Sequence, residues 1–214
     1  MLTPYRHPIA IVGLLTFCCG FVYGAEVENI LVNGGFEDRE TAPWSTYGAV
    51  AIKIVDRLAG ADVAEDPIEG EQALNVLVNA KGANFWDSGL QHNPGNHVFE
   101  KGKKYTLAAF LKTKEGTLQI NFKPELGQDP WTGYGEQQFT MTDTWQEFHS
   151  TTQEMPAAVV PASITFHIAF EVSEFWIDGV RFFEGDYVPP GDEPQAVEAQ
   201  NKLTTTWGHL KAQK

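Results

Sequence analysis

The period of its hydrophobic residues constrains this chain more than any other feature. In TLQINFK, residues 117–123, Leu118, Ile120 and Phe122 alternate with Gln119, Asn121 and Lys123. Successive strand side chains point to opposite faces, so such a segment has one apolar and one polar side and needs a second layer to cover the apolar one. The same short, β-branched and aromatic pattern recurs in AIKIVDR, ALNVLVN, YTLAAFLK, EQQFTMT, QEFHSTT, SITFHIAFE and EFWIDGVRFF, separated by Gly, Pro, Asn and Asp. From Ile30 to Glu184 the period is two rather than 3.6, and no longer repeat is visible. The pattern predicts an all-β sandwich of two antiparallel sheets.

The two ends read differently. Arg6 and the amino terminus precede an apolar run from Ile9 to Tyr23, short for a bilayer span, and Val22 and Gly24 put small residues at the two cleavage-determining positions. Residues 1–24 are expected to be a secretory signal cleaved after Gly24, leaving a secreted or cell-surface protein with no stable membrane insertion. An uncleaved anchor or a lipoprotein signal fits the run less well. Both cysteines, Cys18 and Cys19, fall inside it, so no disulfide can staple the exported part. Stability must then come from a core or a bound ion. After Tyr187, VPPGDEPQAVEAQ denies both helix caps and strand pairing, and 188–200 is predicted as a linker. In the tail, 201–214, Leu203, Trp207 and Leu210 stand at helical spacing against three consecutive threonines. A frayed tail is expected there, with a docking or sorting peptide as the alternative. Residues 25–187 remain as one domain, long enough for a sizeable core. With 15 Lys and Arg against 28 Asp and Glu, the net charge of −13 argues against a nucleic-acid surface.

One stretch raises the question of function directly. In FHIAFE, residues 166–171, Phe166, Ile168 and Phe170 would share one strand face, leaving His167, Ala169 and Glu171 on the other. A solvated face is the default reading. Two polar residues around a small one would also suit a shallow ligand groove.

Five landmarks, ILVNGGFED, PWSTYG, KGKKYTLAAFLK, TDTWQEF and FWIDGVRFF, carry a resemblance in order and spacing from about Asn29 to Glu184. They resemble the CenC-type carbohydrate-binding module, which covers module families four, nine and twenty-two. The resemblance implies a jelly-roll β-sandwich of the galactose-binding-like kind, a structural calcium, and a concave sheet face that grips a glycan. It implies a non-catalytic protein of a type often attached to glycoside hydrolases, although no catalytic domain follows here. The calcium positions it implies are Gly35, Glu37, a turn residue near Gln72, and Asp178. Mixed carbonyl and carboxylate oxygens suit that ion, and it would tie the first strand to the last. Without the resemblance, Glu37 and Asp178 read as ordinary turn and strand-end acids.

The cleft positions follow from the same landmarks. Tyr47 matches a flanking tyrosine, Gln91 a groove-lining amide, and Asn121 a position where cellulose binders carry a basic residue. His167 and Glu171 match the polar pair around a small residue, and a glutamate at the Glu171 position also resembles the xylan-binding branch. Trp131 and Tyr134 lie in the loop that brings an aromatic to the cleft edge, with the choice between them open. Trp86 is a further candidate platform, or a core aromatic. These residue types suit sugars on independent grounds. Flat aromatic surface covers the apolar faces of a pyranose, while amides and carboxylates take its hydroxyls. Trp44, Trp145 and Trp176 are expected in the core.

Two other functions compete with glycan binding. A jelly-roll glycosidase would need two facing carboxyls. The laminarinase-like Glu-x-Asp-x-x-Glu run is absent, and pairing of Glu171 with Glu136 or Asp87 would be accidental. An adhesion or scaffold domain would bind protein and leave the groove vestigial. The expected partners are a polysaccharide, of β-glucan or xylan type, and a glycoside hydrolase or cell-surface component.

Overall fold

In the computed structural model, residues 27–56, 67–68 and 70–190 are described. The predicted signal over 1–24, the tail over 201–214 and most of the 188–200 linker lie outside them. Ten strands and no helix occur among the described residues: β1 (Trp44–Tyr47), β2 (Val50–Asp56), β3 (Gln72–Val78), β4 (Gly89–Phe99), β5 (Tyr105–Thr113), β6 (Thr117–Leu126), β7 (Gln137–Thr142), β8 (Gln146–Thr151), β9 (Val159–His167) and β10 (Ser173–Glu184). They form two five-stranded antiparallel sheets, β1-β4-β9-β6-β7 in front and β2-β3-β10-β5-β8 behind. This is the all-β sandwich that the period of two predicts, in the jelly-roll form that the resemblance implies.

The core is the set of inward positions of both sheets. Leu118, Ile120 and Phe122 of β6, with Ile164 and Phe166 of β9, face Leu107 and Leu111 of β5 and Phe175 and Ile177 of β10. Full burial of each such side chain stabilises the fold by roughly 1.5–3 kcal/mol. The Phe122 ring meets Phe139 and Phe166 edge-on, with centroids 4.9 and 4.8 Å away. Trp44 joins the core as expected, its indole N–H donating to the Asn33 carbonyl at 2.9 Å. Trp176 is buried but alternates with Phe175 and Ile177, so it takes the outer face of the rear sheet beside Asn75 and Lys112. Trp145 is half-buried in the β7–β8 turn.

The opening segment is seamed to the final strand. Ile30 N–H donates to the Phe182 carbonyl at 2.7 Å, and Val180 N–H donates to that of Gly34 at 2.9 Å. The Asn29 side chain closes the join: its Nδ2 donates to the Val180 carbonyl at 3.0 Å and its Oδ1 accepts Phe182 N–H at 2.9 Å. Gly34 permits the approach, because a Cβ there would lie 2.1 Å from the Val180 carbonyl oxygen.

Two departures from simple alternation matter for the site. Strand β4 has Pro94-Gly95 at its centre, and its ladder with β9 is interrupted between His92 and His97. Gly95 bends there with φ 74° and donates its N–H to Ser163 Oγ at 2.8 Å. FHIAFE is the second: β9 ends at His167. Ile168 N–H then bonds to the Ser88 carbonyl at 3.1 Å and Ala169 N–H to that of Phe85 at 3.0 Å. The chain has left the sheet to hold the 79–88 loop. Phe170 stacks on Phe85 at 5.1 Å, and Glu171 is exposed in the following turn.

Candidate functional site

The polar side of the front sheet is organised in rungs. Tyr47, Gly89, His167 and Asn121 lie abreast across β1, β4, β9 and β6. Ser45, Gln91, Thr165 and Lys123 form the next rung, and Ser163 and Glu125 stand abreast one step further. Alternation along each strand therefore sends these residues to the face opposite Phe122 and Phe166. Above them lies a groove of about 640 Å³, with Gln91, Lys123, Glu125 and His167 in its lining.

Aromatic side chains from two loops and one strand wall the groove. Trp86, from the β3–β4 loop, is 50% exposed, and Trp131, from the β6–β7 loop, is 49% exposed. Phe85 props Trp86 edge-on at 4.7 Å, and is itself backed by Phe170. Tyr47 lies across β4 at Gly89, where an added Cβ would come within 2.5 Å of the phenol ring. Only glycine leaves that ring its place. Burial raises the Tyr47 pKa first, with Glu125 and Asp87 adding to the effect, so the phenol stays neutral.

Local chemistry also settles which aromatic of GQDPWTGYG faces the groove. The loop folds back on β6 through Leu126 N–H to the Thr132 carbonyl at 2.9 Å and Tyr134 N–H to that of Pro124 at 2.7 Å. Trp131 holds its turn at φ 56°, in the left-handed region, and its ring joins the groove lining. The Tyr134 ring turns inward against Phe99 at 6.3 Å and packs on the core.

The floor is a hydrogen-bonded network. Thr165 Oγ1 donates to Glu125 Oε1 at 2.6 Å, and Gln91 Nε2 donates to Thr165 Oγ1 at 3.1 Å. Lys123 Nζ lies 3.2 Å from Glu125 Oε2. Asn121 Nδ2 donates to Glu136 Oε1 at 2.9 Å and to His167 Nδ1 at 3.3 Å. Burial pushes the Glu125 carboxyl above its usual range against the opposing pull of Thr165 and Lys123. Burial, aided by the Lys123 charge, lowers the His167 pKa to about 4, so its imidazole is neutral at pH 7.

Of the residues singled out from sequence, Tyr47, Trp86, Gln91, Trp131 and His167 line the groove, and Asn121 lies buried beneath it, bonded to His167. Tyr134 and Glu171 lie elsewhere, in the core and in the turn after β9. Phe85, Lys123, Glu125, Pro130 and Glu136 line the groove and were not among the expected positions. Lys123 was within reach of the alternation argument, sharing a strand face with Asn121. Pro124 obscured Glu125, because proline argues against a continuing strand.

Three of the residues expected to hold calcium, Glu37, Gln72 and Asp178, gather away from the groove, around the start of β3. Glu37 Oε1 accepts the N–H groups of Glu71 and Gln72, each at 2.9 Å. Asp178, fully buried, accepts Ile68 N–H at 2.9 Å and Gly179 N–H at 2.7 Å. Gln72 accepts Arg39 N–H at 3.1 Å and donates to Asp56 at 2.6 Å. Gly35 follows the glycine packed against Val180. Carboxylate, amide and carbonyl oxygens are the donor types calcium takes. No group of three or more His, Cys, Asp or Glu side chains suited to a metal occurs among the described residues, so an ion here would depend on backbone carbonyls.

Aromatic walls, a hydrogen-bonding floor and carboxylates that are already engaged define a ligand-binding β-sandwich module. The chain belongs to the carbohydrate binding domain family, whose profile matches residues 28–169. No match emerged among curated proteins. Among solved structures, a module described under "CBM4 structure and function" is 18% identical, with TM-score 0.51 and coverage of 72% of this chain and 99% of that one. The CBM22-1 xylan-binding domain of Paenibacillus barcinonensis Xyn10C is 13% identical, with TM-score 0.55 and coverage of 72% and 94%. The C-terminal family 22 module of Clostridium thermocellum Xyn10B is 15% identical, with TM-score 0.50 and coverage of 73% and 93%. At such identities the likeness establishes the fold alone. The family consists of non-catalytic modules that bind polysaccharides or oligosaccharides.

Proposed function

We propose that this protein binds a polysaccharide chain of the β-glucan or xylan type along the front groove and does no chemistry on it. The observation that carries this reading is the pair of half-exposed tryptophans, Trp86 and Trp131, on the walls of a polar floor. Exposed indole faces at a pre-formed groove suit the C–H faces of pyranose rings, and the floor suits their hydroxyls. Each hydroxyl bond gained is an exchange with water, worth roughly 1 kcal/mol. Modest affinity follows. The xylan-binding neighbour supports the polymer class.

The same reading makes the protein secreted, with delivery of a glycoside hydrolase or attachment to a cell surface as its purpose. It gives calcium a structural role at Glu37, Gln72, Asp178 and the Gly35 carbonyl, where the bound ion would supply positive charge to hold oxygens of the first and last segments together.

Affinity electrophoresis in gels containing soluble β-glucan, xylan, mannan or no polysaccharide tests the reading. Retardation by one glycan, relieved in W86A and W131A variants that remain folded, is the expected result. Migration unaffected by every glycan, with calcium present, would replace it with a protein-binding scaffold. A melting temperature raised by calcium and returned by a chelator is expected for the metal; identical melting curves would remove it.

A further inference from the structure

The two carboxylates of the groove pose a chemical question, because each is bonded to protein rather than held open to ligand. A carboxylate only accepts hydrogen bonds, which fixes the direction of every bond that reaches it. With the Lys123 ammonium 3.2 Å from its other oxygen, Glu125 acts as the acceptor and Thr165 donates across their 2.6 Å contact. The single hydroxyl hydrogen is thereby used, so Thr165 can only accept from Gln91, and the Gln91 atom 3.1 Å away is its amide nitrogen. The Gln91 carbonyl oxygen is left without a protein donor among the described residues. By the same reasoning Glu136 fixes the Asn121 amide. Its nitrogen faces Glu136 at 2.9 Å and donates also to His167 Nδ1 at 3.3 Å. A neutral imidazole accepting at Nδ1 carries its hydrogen at Nε2.

We propose that Thr165 is a positioning residue which, with Glu125 beneath it, locks the Gln91 amide so that the floor presents an acceptor at Gln91 Oε1 and a donor at His167 Nε2, a pattern selective for uncharged sugar hydroxyls. The inference rests on the glycan-binding reading of the groove. Gln91 and His167 occupy neighbouring rungs, since Gln91 faces Thr165 and His167 faces Gly89 across the β4–β9 ladder. Neighbouring hydroxyls of a neutral pyranose can donate to one and accept from the other. A uronate carboxylate has no hydrogen for Gln91 Oε1 and meets the Glu136 charge, while the Lys123 cation on the same rung is already paired with Glu125 at 3.2 Å. A sugar ammonium has no lone pair for His167.

Thr165 is fully buried. A simple loss of packing must therefore be separated from a loss of orientation. T165V keeps the shape and removes the hydroxyl; T165S keeps the hydroxyl. Against the neutral glycan that wild type binds, Q91A and T165V should each lose about three- to tenfold in affinity, the effect of one hydrogen bond. The double variant should lose no more than either single one, and T165S should restore most of what T165V loses. A polyuronate of similar length should not bind. In the ligand-free protein, the Gln91 side-chain NH₂ resonances should move in T165V and return in T165S. T165V that binds like wild type, additive losses in the double variant, or Gln91 resonances indifferent to Thr165 would each overturn the assignment. Resonances that respond as stated in a protein that binds no glycan would retain the locked amide and discard its use in sugar binding.

Discussion

Two histidines on opposite faces of the front sheet show how similar burial serves different ends. His92, on the core side, and His167, on the groove side, are both held near pKa 4, in each case mainly by burial. His92 has its bonds completed by protein. Its Nε2–H donates to the Val32 carbonyl at 3.0 Å, its Nδ1 accepts His97 Nε2–H at 2.9 Å, and Trp44 packs against it at 4.9 Å. His167 spends one nitrogen on Asn121, has Phe85 at 5.8 Å and lines the groove. A displaced pKa thus marks burial in both places. The direction of the remaining hydrogen-bonding capacity separates the structural histidine from the one available to ligand.

The largest way to break the contrast is to damage the core side. Phe122→Ala should cost about 3–5 kcal/mol, as truncation of a fully buried aromatic does, and should lower the denaturant midpoint. Binding by the folded fraction should stay at wild-type strength, and a weaker intrinsic affinity would show that the two faces are not separable. Acid comes next. Below pH 6.5 the unfolded chain takes up protons that folded His92 and His167 refuse until about pH 4. His97 is shifted in the same direction. Their contribution is therefore complete above pH 6.5 and is lost as pH falls towards 4, by roughly 3 kcal/mol for His92 alone. Urea midpoints measured across that window check it, and H167Q should leave the His92 part of the slope in place.

The groove side should behave in the opposite way. Trp131→Ala should leave the melting temperature near wild type and weaken glycan binding about tenfold, equivalent to about 1.4 kcal/mol. An equal loss of stability would place that ring in the fold instead. Glu171→Ala is the smallest effect, with stability and gel retardation both unchanged. Relief of retardation by that change would show that the turn after β9 reaches the sugar.

These contrasts also explain what could be read from sequence. Regular alternation revealed eight of the strands, because a half-buried antiparallel strand repeats every two residues. Strands β1 and β4 escaped: WSTY is short, and Pro94-Gly95 breaks the pattern inside GLQHNPGNHVF. FHIAFE failed for a different reason. Its alternation is genuine in sequence, but Ile168 and Ala169 bond to the 79–88 loop, so Glu171 never reaches the expected face. The aromatic walls at Tyr47, Trp86 and Trp131 were reached through the family landmarks and the fit of flat rings to sugar faces, not through alternation. Thr165 and Glu125 were not, since only the register of β9 with β6 reveals that they meet.

The seam between the opening segment and β10 has a mechanical consequence. Its bonds run antiparallel, Ile30 to Phe182 and Gly34 to Val180, so the chain enters and leaves side by side at one end. Tension applied between the two ends would meet these bonds one after another, as in a zipper, and not together in shear. A module pulled between an anchor and a cargo would then yield first at Asn29, at low force, while the groove sheet was still intact.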